Sequence, residues 1–166
     1  MNSDKEPLHK DGEIQTSIKV IKDSSENLSI NNLSKKLIYY PLFHYQIQIF
    51  IKRFWFKSRS EPMIVTVDPI RKLPMLCDVI PEFNIINVGS DSIIPFYETS
   101  QVCDQIVIKF VRKYLFRKYP ILFPPTVSIM NKILIYKIFF QFQSCNKENI
   151  SILQDSITGE IFKIKG

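Results

Sequence analysis

The stretch Thr99-Ser-Gln-Val-Cys-Asp-Gln-Ile-Val-Ile-Lys-Phe-Val-Arg-Lys-Tyr-Leu-Phe-Arg-Lys-Tyr-Pro120 decides the fold. Cys103, Ile106, Val107, Phe110, Val111, Tyr114 and Leu115 recur at steps of three and four, which lays one broad apolar face along a helix. Thr99 or Ser100 offers a hydroxyl as N-cap, and Asp104 lies early, toward the positive end of the dipole. Lys109, Arg112, Lys113, Arg117 and Lys118 load the later turns, on both sides of the helix axis. Tyr119-Pro120 ends the helix, because proline has no N–H to continue the ladder.

Downstream, Val127–Gln143 reads as a long strand interrupted near Asn131. Leu134, Tyr136, Ile138, Phe140 and Phe142 share one face, while Ile133, Ile135 and Phe139 make the other apolar too. A strand apolar on both sides belongs in a sheet interior. The chain then turns over 144–149, returns over Ile150–Gln154 and turns tightly at Thr158-Gly159 into Glu160–Lys165. Gly159 supplies the positive φ that this turn needs.

Upstream, Phe43, Tyr45, Ile47, Ile49 and Ile51 alternate with His44, Gln46, Gln48, Phe50 and Lys52, the period of a half-buried antiparallel strand. A connection over Lys52–Pro62 leads to a return strand, Met63–Val67, which Asp68-Pro69 stops. Residues 69–98 form a connector punctuated by Pro69, Pro74, Pro81 and Pro95. Its apolar pairs pack it along the domain, and it holds one short strand around Asn84–Val88. Residues 1–33 are polar and read as a disordered arm, in which Ile18 and Val20 pair at most briefly as an edge strand.

The two hairpins echo each other. Lys36–Phe43 aligns with Lys132–Phe139, and Val67-Asp68-Pro69-Ile70 with Gln154-Asp155-Ser156-Ile157. The expected fold is therefore α+β: an antiparallel sheet of four or more strands from a duplicated hairpin, covered by one long amphipathic helix. It occupies a single domain over 34–166, with hairpin 37–68, connector 69–98, helix 99–119 and hairpin 126–165.

The second unit, about 99–165, resembles the PepSY family of small bacterial domains through its helix, Tyr119-Pro120, its strand pair and the closing Asp155-Ser-Ile-Thr158-Gly159-Glu160. The first unit, about 36–70, is a degenerate copy, with Arg71-Lys72-Leu73 where the second has Thr-Gly-Glu. The resemblance implies a helix packed across an antiparallel sheet. It also implies a non-enzymatic role in binding or regulating a protein partner.

Thirteen Phe, seven Tyr and one Trp give the chain a large apolar payload, and 22 Lys and Arg against 16 Asp and Glu leave a formal charge of +6. That balance suits an acidic partner. Three cysteines without CxxC spacing fit a reduced compartment, and no apolar run is long enough for a signal peptide or membrane span, so a cytoplasmic protein is expected. His9 and His44 are the only histidines, and no zinc, nucleophile-elbow or phosphate-loop motif occurs, so no cofactor or catalytic residue is assigned. Asp68 and Asp155 read as turn-forming residues that bond their own backbone.

Two patches carry the functional expectation. Arg53, Phe54, Trp55, Phe56 and Lys57 stand at the tip of the first hairpin, and Lys109, Arg112, Lys113, Arg117 and Lys118 on the helix. Aromatic rings flanked by cations suit a protein groove, an anionic membrane surface or single-stranded nucleic acid. The sequence thus points to a non-enzymatic module that recognises a protein or peptide partner, with action at a membrane surface as a variant. The alternative is a nucleic-acid-binding accessory protein using the basic helix and the Trp55 tip.

Overall fold

Two long strands form the spine. β2 (Lys35–Ile51) and β6 (Thr126–Gln143) run antiparallel and pair from Lys35↔Phe142 to Phe50↔Thr126. The computed structural model describes residues 15–22, 35–53, 57–97, 100–143 and 150–165. The interruption expected near Asn131 is a bulge: the register passes from Gln46↔Asn131 to Ile47↔Ile129, so Met130 is the extra residue and β6 continues through it.

β3 (Arg59–Asp68) returns along β2 from Ile51↔Arg59 to Phe43↔Val67, and β4 (Leu73–Cys77) forms the outer edge beside it. On the far side of β6 lie β1 (Gln15–Ile21) and then β5 (Phe83–Gly89), giving the order β4-β3-β2-β6-β1-β5. β7 (Ile150–Asp155) pairs with the end of β6, and β8 (Ile161–Lys165) with β7. All ladders are antiparallel except β1 on β6, which is parallel through Val20↔Tyr136.

This overturns the expected architecture. The sheet has eight strands and is mixed, rather than a few antiparallel strands under one helix. Two strands, β1 and β4, come from segments read as arm and connector, while β5 falls where a short strand was expected around Asn84–Val88. Gln15–Ile21, assigned to the arm, is β1 and lies between β6 and β5, with Ile18 and Val20 buried at its centre. The proline-punctuated connector supplies both β4 and β5, then a 3-10 turn at Ser90–Ser92. The remainder of the arm, and Thr99 as N-cap, lie outside the described residues.

α1 (Ser100–Lys118) covers only part of one face. It buries Cys103, Val107, Val111 and Leu115, at steps of four, against Phe43, Tyr45, Ile47, Ile49 and Ile51 of β2 and Val65 and Val67 of β3. Each such aliphatic side chain contributes about 1.5–3 kcal/mol on burial. One charge placed at Val107, in the middle of this seam, is enough to break it. A second apolar cluster, Ile18, Val20, Tyr39, Val88 and Tyr136, forms where β1 and β5 meet the spine.

The start of α1 is pinned by polar contacts. Lys132 Nζ donates to the Ser100 carbonyl at 2.8 Å and to Asp104 Oδ1 at 2.6 Å, and the Tyr45 hydroxyl donates to the same carboxylate at 2.9 Å. Burial first, then the Asp104 carboxylate, push the Tyr45 pKa well above its ordinary value. At the other end Tyr119 N–H closes the last bond on the Leu115 carbonyl at 2.9 Å before Pro120.

The two halves are related about the cross-strand pair Tyr40↔Lys137. Tyr39 forms a parallel bridge with Ile93, and Tyr136 forms one with Val20. Asp68 Oδ1 accepts from the N–H groups of Ile70 and Arg71 at 2.9 Å each; Asp155 Oδ1 accepts from Ile157 at 2.9 Å and Thr158 at 3.3 Å. Four residues after each aspartate the backbone turns left-handed, at Lys72 (φ 58) and Gly159 (φ 71). These correspondences match Tyr40 with Lys137, one residue on from the alignment that sequence similarity suggests. Lys72 takes the conformation for which the other half uses glycine.

Candidate binding surfaces

The mouth of the β2–β3 connection and the end of α1 come together. Ile51 pairs with Arg59 at the mouth of the β2–β3 connection, and Ile51 shares the core with Leu115 and Tyr119. The Arg59 guanidinium lies 5.7 Å from the centre of the Tyr119 ring, and Lys118 Nζ lies 5.3 Å from it. Lys52, Arg53 and Lys57 are exposed beside them, as are Lys109, Arg112, Lys113, Arg117 and Lys118 on α1. Phe54, Trp55 and Phe56 lie outside the described residues.

The helix cations are not divided across the axis. Lys109, Arg112, Lys113 and Arg117 stand at i, i+3, i+4 and i+8, which is one stripe, and Phe116 sits within it at 49% exposure. Only Lys118 departs, lying over the rings of Tyr114 and Tyr119, whose hydroxyls raise its pKa. Among the described residues none of the four stripe cations is paired with a carboxylate. Nine cations at this end, with Glu61 bound to Arg59, sum to +8 where the whole chain is +6; everything else therefore sums to −2.

A second surface lies at the β4 edge. Ile70, Leu73, Met75, Leu76 and Val79 are all between 39% and 71% exposed. The connector was expected to pack along the domain, and it does so as β4 and β5, with these side chains left outside and Ile86 and Ile93 packed on the second cluster. The alternation of Leu73, Met75 and Cys77 around Pro74 is the signal that marks the segment as an edge strand.

The ionisable groups inside the sheet serve its turns. Asp68 accepts the Tyr40 hydroxyl at 2.9 and 2.8 Å on its two oxygens, and burial first, then this carboxylate, raises the tyrosine's pKa strongly. Asp155 pairs with Lys137. Burial alone raises the Asp155 pKa, but the Lys137 ammonium and the turn N–H groups outweigh it and hold the carboxyl below its ordinary value. His44, on what the alternation marks as the more polar face, is buried. Its Nδ1 lies 2.9 Å from Thr66 Oγ1, the Thr66 hydroxyl is 3.2 Å from Cys77 Sγ, and burial lowers the imidazole pKa.

No known family model matches this sequence. Comparisons with curated proteins and with solved structures find no match either. Nothing in them bears on the resemblance of 99–165 to the PepSY family. Among the described residues no group of three or more His, Cys, Asp or Glu side chains could hold a metal ion, and no helix is long and apolar enough to cross a membrane.

Proposed function

We propose that the chain is a non-enzymatic binding module and that an apolar segment of a protein or peptide partner docks on the surface around β4. One observation carries this reading: five apolar side chains between 39% and 71% exposed fall within ten residues at what is, among the described residues, an edge of the sheet, with Leu73 and Met75 on one face of β4 and Leu76 on the other. Scattered apolar residues on a surface are ordinary, but so many within one short edge segment mark a site of association. Pro74 removes a backbone donor from the edge, so the partner is held by side-chain burial rather than by a full added strand. The non-catalytic part of the reading is supported by three aspartates of the sheet and helix. Asp68, Asp104 and Asp155 are each occupied by a turn, a tyrosine or a lysine.

Selection of a displayed peptide library on the immobilised protein tests the proposal. Enriched peptides should carry closely spaced apolar residues and lose binding by tenfold or more, about 1.4 kcal/mol, to the double variant Leu73→Asp/Met75→Asp. They should bind Lys109→Glu unchanged. Enrichment that is indifferent to the β4 variant, or that fails altogether, refutes it.

A further inference from the structure

The basic end takes no part in the apolar docking surface, and its chemistry is of another kind. We infer that it binds single-stranded nucleic acid along the phosphodiester backbone. Charge complementarity is the first argument. The positive charge of the chain is concentrated here, and the exposed stripe Lys109, Arg112, Lys113 and Arg117 contains no carboxylate. The one acidic residue of α1, Asp104, is at its other end, held by Tyr45 and Lys132. Successive turns place cations about 6 Å apart, so a polyanion lying along the helix meets several of them and releases counterions from each contact.

The rings decide which polyanion. Phe116 stands 49% exposed in the middle of the stripe, whereas Tyr119 packs on the core with Arg59 and Lys118 already over its ring. Unpaired bases stack on an exposed ring such as Phe116, whereas the carboxylates of an acidic peptide do not and a duplex hides its base faces. A membrane is disfavoured by packing: the apolar side of α1 is spent against β2 and β3, leaving Phe116 alone where a lipid-inserting helix needs an apolar face.

Fluorescence anisotropy of a labelled oligothymidylate against the full chain tests this. Binding should weaken with salt at a slope of about −0.7 per phosphate contacted. Lys113→Glu/Arg117→Glu should cost tenfold or more in affinity and reduce that slope by more than about 1. Phe116→Ala should weaken binding by about tenfold with the slope unchanged, which separates stacking from charge. Leu73→Ser/Met75→Ser should bind as the parent does. The inference is overturned by no binding at low salt or by a slope that the double variant leaves unaltered. Equal competition by polyglutamate, anionic vesicles or duplex DNA overturns it as well.

Discussion

Replacing Asp155 by asparagine isolates what charge contributes to the second turn. Asparagine keeps an Oδ1 for the N–H groups of Ile157 and Thr158, so the turn geometry survives. What disappears is the negative charge facing Lys137, at a carboxylate only 4% exposed. Removing one partner of a buried pair costs about 3–5 kcal/mol. The Lys137 side chain is 20% exposed and recovers some hydration, which brings the expectation to about 2–3 kcal/mol. The matched change Asp68→Asn removes a charge whose partner is a neutral tyrosine hydroxyl, which still donates to the amide oxygen; about 0.5–1 kcal/mol follows. Urea unfolding followed by circular dichroism measures both. Acid gives an independent check. The folded-state pKa of Asp155 lies below its unfolded value, so the stability it contributes is present above about pH 4 and is lost as pH falls toward the folded pKa. Asp155→Asn should flatten the acid limb of the stability curve. Equal costs for the two variants, or an acid limb unchanged by Asp155→Asn, refute the reasoning.

Two further expectations follow from buried or strained positions. His44 has a folded pKa below its unfolded one, so the protein loses stability as pH falls below about 6.5; thermal unfolding at neutral and mildly acid pH should show a drop that His44→Gln reduces. Lys72→Gly should stabilise and Gly159→Ala destabilise, each by about 1 kcal/mol, read by chemical denaturation, because both positions are left-handed. A Cβ at Gly159 meets nothing within 4 Å, so the cost there is backbone strain alone.

Much of the central framework was legible from side-chain periodicity. The alternation from Phe43 to Ile51 corresponds to the buried face of β2, and the steps of four from Cys103 to Leu115 to the seam of α1. Asp68 and Asp155 accept turn N–H groups as their residue type suggests. The extra strands were not legible, because long-range pairing decides them. Gln15–Ile21 is a polar stretch with two buried residues, and it is a strand only because β6 and β5 flank it. β4 is short and carries a proline, which reads as a loop until β3 is seen beside it. His44 follows the polar positions of its strand, yet Thr66 across the ladder lets it be buried. The helix stripe was implicit in the spacing of its cations, while its approach to the mouth of the β2–β3 connection depended on how α1 lies along β2.

The crossing of the leading segments has a consequence for how the molecule holds together. The strand preceding β2 is clasped by β6, and the residue preceding α1 and β6 is clasped by β2. Each half thus lends the other a finger of chain, and neither possesses a finished edge alone. Scission near Asp78 leaves β1 seated between β5 and β6 and β2 against β6, so the pieces part only when all three ladders break.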